Sequence, residues 1–230
     1  MNSIRAKSLR TCALVLVLML TLATGCHRRL AVDEYPPNAL KVRYVSATDF
    51  TDCLLASAVM CMNYVVGQDR FAAPRVRQQM DSEGFDLTRV GDVRMFLEGR
   101  RIKLIPLKGE LSTEPPLGLA WWVISRGYPV ICVVNEEEGA PEEFNHAVVV
   151  IGVDVDDNGD NGSDNGSGIG DVIVLDPASQ KRLERWDRET FLSRWQPTGN
   201  VMLLVFDVAN HAVVDRGLPW KQNTEDGLGS

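Results

Sequence analysis

Apolar residues occur in one long run and several short ones, and the two lengths predict different elements. The long run begins after the polar pair Thr51-Asp52, which can cap a helix, and continues from Leu54 to Val65. A helix that is apolar on every side is expected to be buried. Other helices follow from shorter patterns with end signals. The predicted helices are Asp52–Val65, Pro74–Met80, Val90–Leu97, Leu117–Ser125 and a last one from the Asp187 cap to Trp195.

Short apolar runs between turn residues predict strands. The predicted strands are Lys41–Val45, Ile102–Pro106, Tyr128–Val134, Ala147–Val153, Val172–Leu175, Lys181–Trp186 and Val201–Val208. Helices therefore come first and an antiparallel sheet follows, which is the order of an α+β domain with N-terminal helices packed on the sheet.

The first 25 residues have a charged start, an apolar centre and small residues before Cys26, the pattern of an export signal. Ala23-Thr24-Gly25-Cys26 resembles the processing box of bacterial lipoproteins, which implies an acylated Cys26 and a lipid bilayer as partner. We predict a signal peptide over 1–25, a tether over 26–39, one domain over 40–209 and a polar tail over 210–230. The predicted location is the cell envelope, with the outer membrane favoured because His27 follows the anchor.

Charge excludes one class of partner. The chain has 24 basic and 31 acidic side chains, and all three basic residues of the first 25 are removed with the signal, which leaves a net charge of −10. Nucleic acid binding needs clustered Lys and Arg, so no nucleic acid partner is expected.

An acidic, glycine-rich segment, Asp154–Asp171, interrupts the sheet pattern. It is interpreted as a long solvated hairpin loop. Calcium is the alternative, because Asp154, Asp156 and Asn158 are spaced like the first ligands of a calcium loop. The twelfth position is Asn165 instead of a bidentate Glu, and the sequence leaves the alternative open.

Three cysteines remain after the signal and Cys26 are set aside: Cys53, Cys61 and Cys132. An odd number in an oxidising compartment leaves at least one unpaired. Cys53 follows Asp52 at the start of the long helix, where free N–H groups and the helix dipole favour a thiolate. Cys61 lies in mid-helix and Cys132 in mid-strand, and both are predicted to be inert.

His146 is the imidazole expected to serve such a thiol. His27 adjoins the anchor and His211 lies in the polar tail, whereas His146 opens an apolar strand. Asp176 ends the next strand, where its carboxylate could accept the imidazole N–H. Taken singly, a histidine at a strand start and an Asp-Pro turn are more often structural.

Together these segments resemble the double-glycine, bacteriocin-processing cysteine peptidases, a papain-like family, from about residue 45 to 207. The resemblance implies Cys53 as nucleophile, His146 as base and Asp176 as orienting group, with a peptide or protein of the envelope as substrate. No cofactor and no metal are expected. The segments that carry the resemblance are Asp52-Cys53, Gly127–Ile131, Asn145–Val150, Leu175-Asp176-Pro177, the acidic hairpin and Phe191–Trp195.

Two positions depart from the family pattern. The family has Gln six residues before the Cys as an oxyanion donor, and this chain has Ala47, flanked by Ser46 and Thr48. The family has Gly after the Cys, and this chain has Leu54. The alternative to a peptidase is therefore a degenerate domain that binds a peptide or protein without cutting it. Acyl transfer, and a metal site built from the three cysteines and His146, are further options.

Overall fold

The structure, a computed structural model, describes residues 35–136, 145–155 and 168–208. The helices are α1 (Cys53–Val66), α2 (Ala73–Glu83), α3 (Val90–Glu98) and α4 (Arg188–Trp195). The strands are β1 (Ile102–Lys108), β2 (Val130–Asn135), β3 (Asn145–Val155), β4 (Ile169–Leu175), β5 (Leu183–Trp186) and β6 (Val201–Asp207). The predicted α+β class is confirmed.

Helix α1 is the buried helix that the long apolar run predicts. Its residues from Cys53 to Asn63 are all buried, and it ends at Gly67, whose φ of 70° is a left-handed conformation that favours glycine. The predicted cap at its start is wrong in one detail. Asp52 makes no side-chain hydrogen bond to the helix. A short 3₁₀ turn, Phe50–Asp52, precedes α1, and Asp49 caps that turn by accepting from the Thr51 N–H.

The six strands form one sheet in the order β1-β6-β2-β3-β4-β5, and every pair is antiparallel. Strand β3 lies between β2 and β4, with Val134 opposite His146 and Val149 opposite Leu175. This register places His146, the second residue of β3, close to Asp176, the residue directly after β4. The sheet therefore holds His146 and Asp176 near one another.

Each face of the sheet is covered by helical elements. Alternate strand residues such as Val148 and Val174 pack with Trp122, Phe191 and Trp195 in one apolar cluster. Helix α1 is not part of that cluster and lies against the other face, where the Ser57 hydroxyl donates to the Ala147 carbonyl of β3 at 3.1 Å. Helix α1, which carries Cys53, is thus fixed to the strand that carries His146.

The predicted helix Leu117–Ser125 forms only partly, because a tight loop takes up its start. The regular part is a π-helical turn, Trp121–Ser125. Before it, the Gly118 N–H donates to the Glu114 carbonyl at 2.7 Å, and the Trp122 indole N–H donates to the Pro116 carbonyl at 2.8 Å.

Gly118→Ala is expected to destabilise the protein by about 2–3 kcal/mol. A Cβ at Gly118 would lie 2.5 Å from the carbonyl oxygens of both Ser112 and Glu114, which are backbone atoms that cannot rotate away. Chemical denaturation measures the loss. Gly91→Ala in α3 is the control: its Cβ would meet nothing within 4 Å, and alanine favours the helix by about 1 kcal/mol. An equal loss in both variants would contradict the packing argument.

The predicted strand Lys41–Val45 does not form. Within the part of the chain that the structure describes, no strand pairs with this segment. The Leu40 N–H instead donates to the carbonyl of Ile151, the extra residue of a bulge in β3. Tyr35 and Ala39, within the predicted tether, are buried. The packed part of the chain therefore includes at least residues 35–39.

Several predictions fall on residues that the structure does not describe. They are the signal peptide, Cys26, His27, the tail over 210–230 with His211, and most of the acidic loop, including Asp156, Asn158 and Asn165. Asp154 is described, and it binds Arg185 and Asn38. Among the described residues, no helix has the length and apolar character required to cross a membrane.

Candidate active site

Cys53 is the first residue of α1 and its side chain is buried close to the surface. Its exposed fraction is 9%, whereas Cys61 and Cys132 are at 0%, and all three are free thiols. Cys53 thus lies at the N-terminal end of α1, where the helix dipole is positive. Cys53 is therefore the one described thiol that combines some access with an environment that favours an anion.

His146 lies one residue into β3 and is 3% exposed. Its Nε2 is 2.8 Å from Oδ1 of Asp176. This contact leaves Nδ1 as the ring nitrogen available to a thiol. Because the Nε2–H donates to a carboxylate, the ring is held in one orientation.

Asp176 directly follows β4 and its carboxylate is held by the turn after it. The Ala178 N–H donates to the same Oδ1 at 2.9 Å, and the Asp176 N–H donates to the Arg182 carbonyl at 2.9 Å. The Tyr44 hydroxyl also donates to the Asp176 and Pro177 carbonyls at 3.2 and 3.1 Å. The carboxylate is therefore placed by contacts on both sides of the turn.

Electrostatics favours a charged pair in this site. Burial lowers the pKa of His146, but hydrogen bonds and charge attraction from Asp176 and Cys53 outweigh burial and raise the pKa to about 9. Burial raises the pKa of Asp176, but the hydrogen bond and positive charge of His146 and the N–H groups of Ala178 and Ser179 bring it below its ordinary value. At neutral pH the favoured state is imidazolium beside carboxylate.

A ring titration of His146 is expected to show a midpoint near 9, well above the ordinary value of 6.5. NMR of ¹³C-labelled histidine measures it, and His146→Gln assigns the signal. Asp176→Asn should lower the midpoint by at least about one unit, because burial lowers the pKa of His146 and the carboxylate charge no longer offsets this effect. Asp187→Asn, at the exposed cap of α4, is the control. A midpoint near 6.5 in the unaltered protein would contradict the charged pair.

The pKa shifts of His146 and Asp176 determine how the stability of the fold depends on pH. Protonated His146 stabilises the fold fully below pH 6.5, and that contribution is lost as the pH rises to about 9. Asp176 stabilises the fold above its ordinary pKa of 3.8, and its contribution is lost as the pH falls below it.

The other two described thiols, Cys61 and Cys132, are fully buried. Burial raises the pKa of Cys61 and of Cys132 far above the ordinary value for a thiol. Within the described ranges, no three His, Cys, Asp or Glu side chains are grouped as metal ligands.

The segment before Cys53 has Ala47 at the position where the resembled family has a Gln that donates to the oxyanion. The Ala47 N–H donates to the Pro177 carbonyl at 2.9 Å. The Ser46 hydroxyl donates to the Ala47 carbonyl at 3.1 Å, and the Thr48 hydroxyl donates to Asp52. The hydroxyl groups of both neighbours of Ala47 therefore already donate to other acceptors. Leu54 is buried, with 5% of its surface exposed.

Three residues that support the site were not predicted from sequence. They are Tyr44 at the Asp176 turn, Ser57 between α1 and β3, and Arg77, which binds Asp52. The signal for Ser57 is a lone hydroxyl in an apolar helix, one turn after Cys53. No local pattern marks Tyr44 or Arg77, since their partners lie far away in sequence.

Comparison with known proteins agrees with this fold. The model of the C39-peptidase-like family matches residues 120–203, a stretch that includes His146 and Asp176 but not Cys53. No curated protein matches the chain. A solved structure described as a C39-like peptidase from Bacillus anthracis has 18% identity and a TM-score of 0.50, and the match covers 71% of this chain and 93% of that one.

Two further solved structures are similar at lower scores. A double glycine motif protease from an AMS/PCAT transporter, in complex with the leader peptide, has 17% identity and a TM-score of 0.48, with 74% of this chain and 94% of that one covered. The peptidase domain of Streptococcus ComA has 16% identity and a TM-score of 0.46, with 70% and 96% covered. The predicted C39-like, papain-like peptidase fold is confirmed by the family match and the Bacillus anthracis structure.

Proposed function

We propose that this domain, which has the C39-like peptidase fold, is a cysteine peptidase in which Cys53 attacks a peptide carbonyl. One observation carries the proposal: His146 is buried and its Nε2 lies 2.8 Å from Oδ1 of Asp176, and the hydrogen bonds and charges of Asp176 and Cys53 raise the pKa of the ring to about 9 despite its burial. An imidazolium that is stabilised in this way is a proton donor at neutral pH and a partner for a thiolate.

The reaction follows from these positions. The Cys53 thiolate adds to the carbonyl carbon, and the electron pair of the C=O bond moves to the oxygen. The Cys53 N–H at the start of α1 can donate to that oxygen. His146 gives its proton to the leaving amine as the C–N bond breaks. A water molecule, deprotonated by the neutral ring, then hydrolyses the thioester and releases the acid.

The proposed substrate is a peptide or protein of the cell envelope. The export pattern of the first 25 residues and Cys26 supports this location, because an acylated Cys26 would hold the domain at a membrane. A Cys26→Ser variant is expected to lose incorporation of a labelled fatty acid and to appear in the soluble fraction. Unchanged labelling of the variant would overturn the anchor.

Peptide cleavage tests the function directly. The purified protein is incubated with a proteome-derived peptide library, and new N-termini are identified by mass spectrometry. We expect one family of cleavage products that is absent with Cys53→Ala and present with Cys61→Ala, a matched change two turns along the same helix. Products that are independent of Cys53 would overturn the proposal.

The second candidate is a degenerate domain that binds a peptide without cutting it. Ala47 and Leu54 favour this candidate, because the first offers no side-chain donor and the second adds bulk beside the thiol. The same library distinguishes the two. Peptides that are retained uncut by the protein and by Cys53→Ala alike would support the binding domain.

A further inference from the structure

Arg77, on α2, contacts the turn that leads into the nucleophile. Its Nη1 lies 2.6 Å from Oδ2 of Asp52, 2.9 Å from Oδ2 of Asp49 and 3.3 Å from the Thr48 hydroxyl oxygen. One guanidinium nitrogen thus binds three of the five residues directly before Cys53. We call Thr48, Asp49, Asp52 and Arg77 the clamp.

Asp52 depends on this contact more than Asp49 does. The Asp52 side chain is 5% exposed, whereas that of Asp49 is 49% exposed. Oδ2 of Asp52 accepts hydrogen bonds from Arg77 and from the Thr48 hydroxyl. The other carboxylate oxygen of Asp52, Oδ1, is buried and has no hydrogen-bond partner among the described atoms. A buried carboxylate needs a compensating charge, and Arg77 is the cation in contact with it. The position of Asp52 therefore follows that of Arg77.

The clamp lies where the chemistry requires precision. The turn runs from Ala47, the position of the missing oxyanion donor, to Cys53. Without a Gln at 47, we assign the Cys53 N–H as a donor of the proposed oxyanion site, and its direction is set by the peptide unit that joins Asp52 to Cys53. A displacement of about 1 Å in such a group can cost about 10²-fold in rate.

We propose that Arg77 is a positioning residue that aims the Cys53 N–H at the oxyanion by holding Asp52, Asp49 and Thr48. The proposal rests on the proposed function, since it assigns Arg77 a role in the same reaction. It distinguishes two properties of the site. Attack on a carbonyl needs a placed oxyanion donor, whereas displacement of iodide from iodoacetamide by the thiolate forms no oxyanion.

A peptide aldehyde tests the proposal without turnover. With acetyl-glycyl-glycinal, the Cys53 sulfur bonds to the aldehyde carbon, the C=O electron pair moves to the oxygen, and that oxygen takes a proton from His146. We expect Arg77→Gln to weaken binding of this aldehyde at least about 10-fold, while iodoacetamide alkylation of Cys53 stays within about two-fold, because only the first depends on the oxyanion site.

Two variants show whether the contacts or the charge matter. Arg77→Lys keeps a cation for Asp52 but cannot span three partners, so we expect partial recovery of aldehyde binding. Arg94→Gln breaks an exposed pair with Glu98 on α3 at 3.0 Å and should leave both readouts unchanged.

Should Arg77→Gln not fold, Asp52→Asn/Arg77→Gln replaces it, since the double variant leaves no unpaired buried charge. This double variant should also bind the aldehyde weakly.

The outcomes separate the two claims. Aldehyde binding at the unaltered strength in folded Arg77→Gln or in the double variant overturns the clamp. An equal loss of alkylation and aldehyde binding also overturns it, because Arg77 would then support only the thiol or the fold. If the unaltered protein binds the aldehyde but cuts no peptide, the proposed function fails while the role of Arg77 at the oxyanion site is still measured.

Discussion

Cys53→Ser is expected to lower the rate of peptide cleavage at least about 10³-fold. The change replaces one atom and keeps the size of the side chain, so substrate binding should persist. A serine hydroxyl ionises far less readily than a thiol, and it needs a neutral base to take its proton. Asp176 stays in contact with His146 in this variant, and its hydrogen bond and charge oppose the neutral ring that the hydroxyl needs.

The measurement is kcat and KM for a peptide found in the library. We expect the loss in kcat, with KM changed less than about three-fold, because uniform binding is retained. Cys61→Ala is the control, since Cys61 is fully buried in the same helix. Cleavage by Cys53→Ser at more than a tenth of the original rate would mean that another group is the nucleophile.

Ala47→Gln is expected to raise kcat by about 10²-fold, the scale of one oxyanion donor. The backbone at Ala47 is already held by its N–H bond to the Pro177 carbonyl at 2.9 Å, so the new side chain starts from a fixed point. The Ser46 and Thr48 hydroxyls bind elsewhere and leave the donor role open. A gain would show that the rest of the site is intact.

Ala47→Met is the matched control, because it adds similar length without a donor. We expect no gain from it. If Ala47→Gln and Ala47→Met behave alike, the residue at 47 does not face the oxyanion, and the degenerate binding domain becomes the better account of the site. Each variant is compared with the unaltered protein on the same peptide.

Much of the fold could be predicted because its signals are local. The apolar run of α1, the Asp187 cap of α4 and the short apolar strands each specify an element without help from distant residues. The Lys41–Val45 prediction failed because alternation alone does not show whether a partner strand is available. There the bulge at Ile151 offers one carbonyl to Leu40, and none of the described strands pairs with the segment.

The three residues of the candidate site could be proposed from the sequence, whereas the residues that support them could not. Cys53, His146 and Asp176 could be chosen because each has a position at the end of an element. The structure brings His146 and Asp176 into contact, and both Asp176 and Cys53 contribute to the raised pKa of His146. The sequence predicts Asp52 as a helix cap, since Asp is one of the residues preferred at that position. Its real partner, Arg77, lies on another helix, and such a pairing is set by tertiary packing.

The central claim is that protonated His146 supports a reactive Cys53 thiolate, and thiol alkylation tests this claim most directly. The rate of iodoacetamide modification of Cys53 is measured at pH 6 by mass spectrometry, in the unaltered protein and in His146→Ala, with the buried Cys61 and Cys132 as internal references. We predict rapid modification of Cys53 alone and a fall of at least about 10-fold in His146→Ala, because the variant lacks the imidazolium. Equal rates in the two proteins would contradict the account.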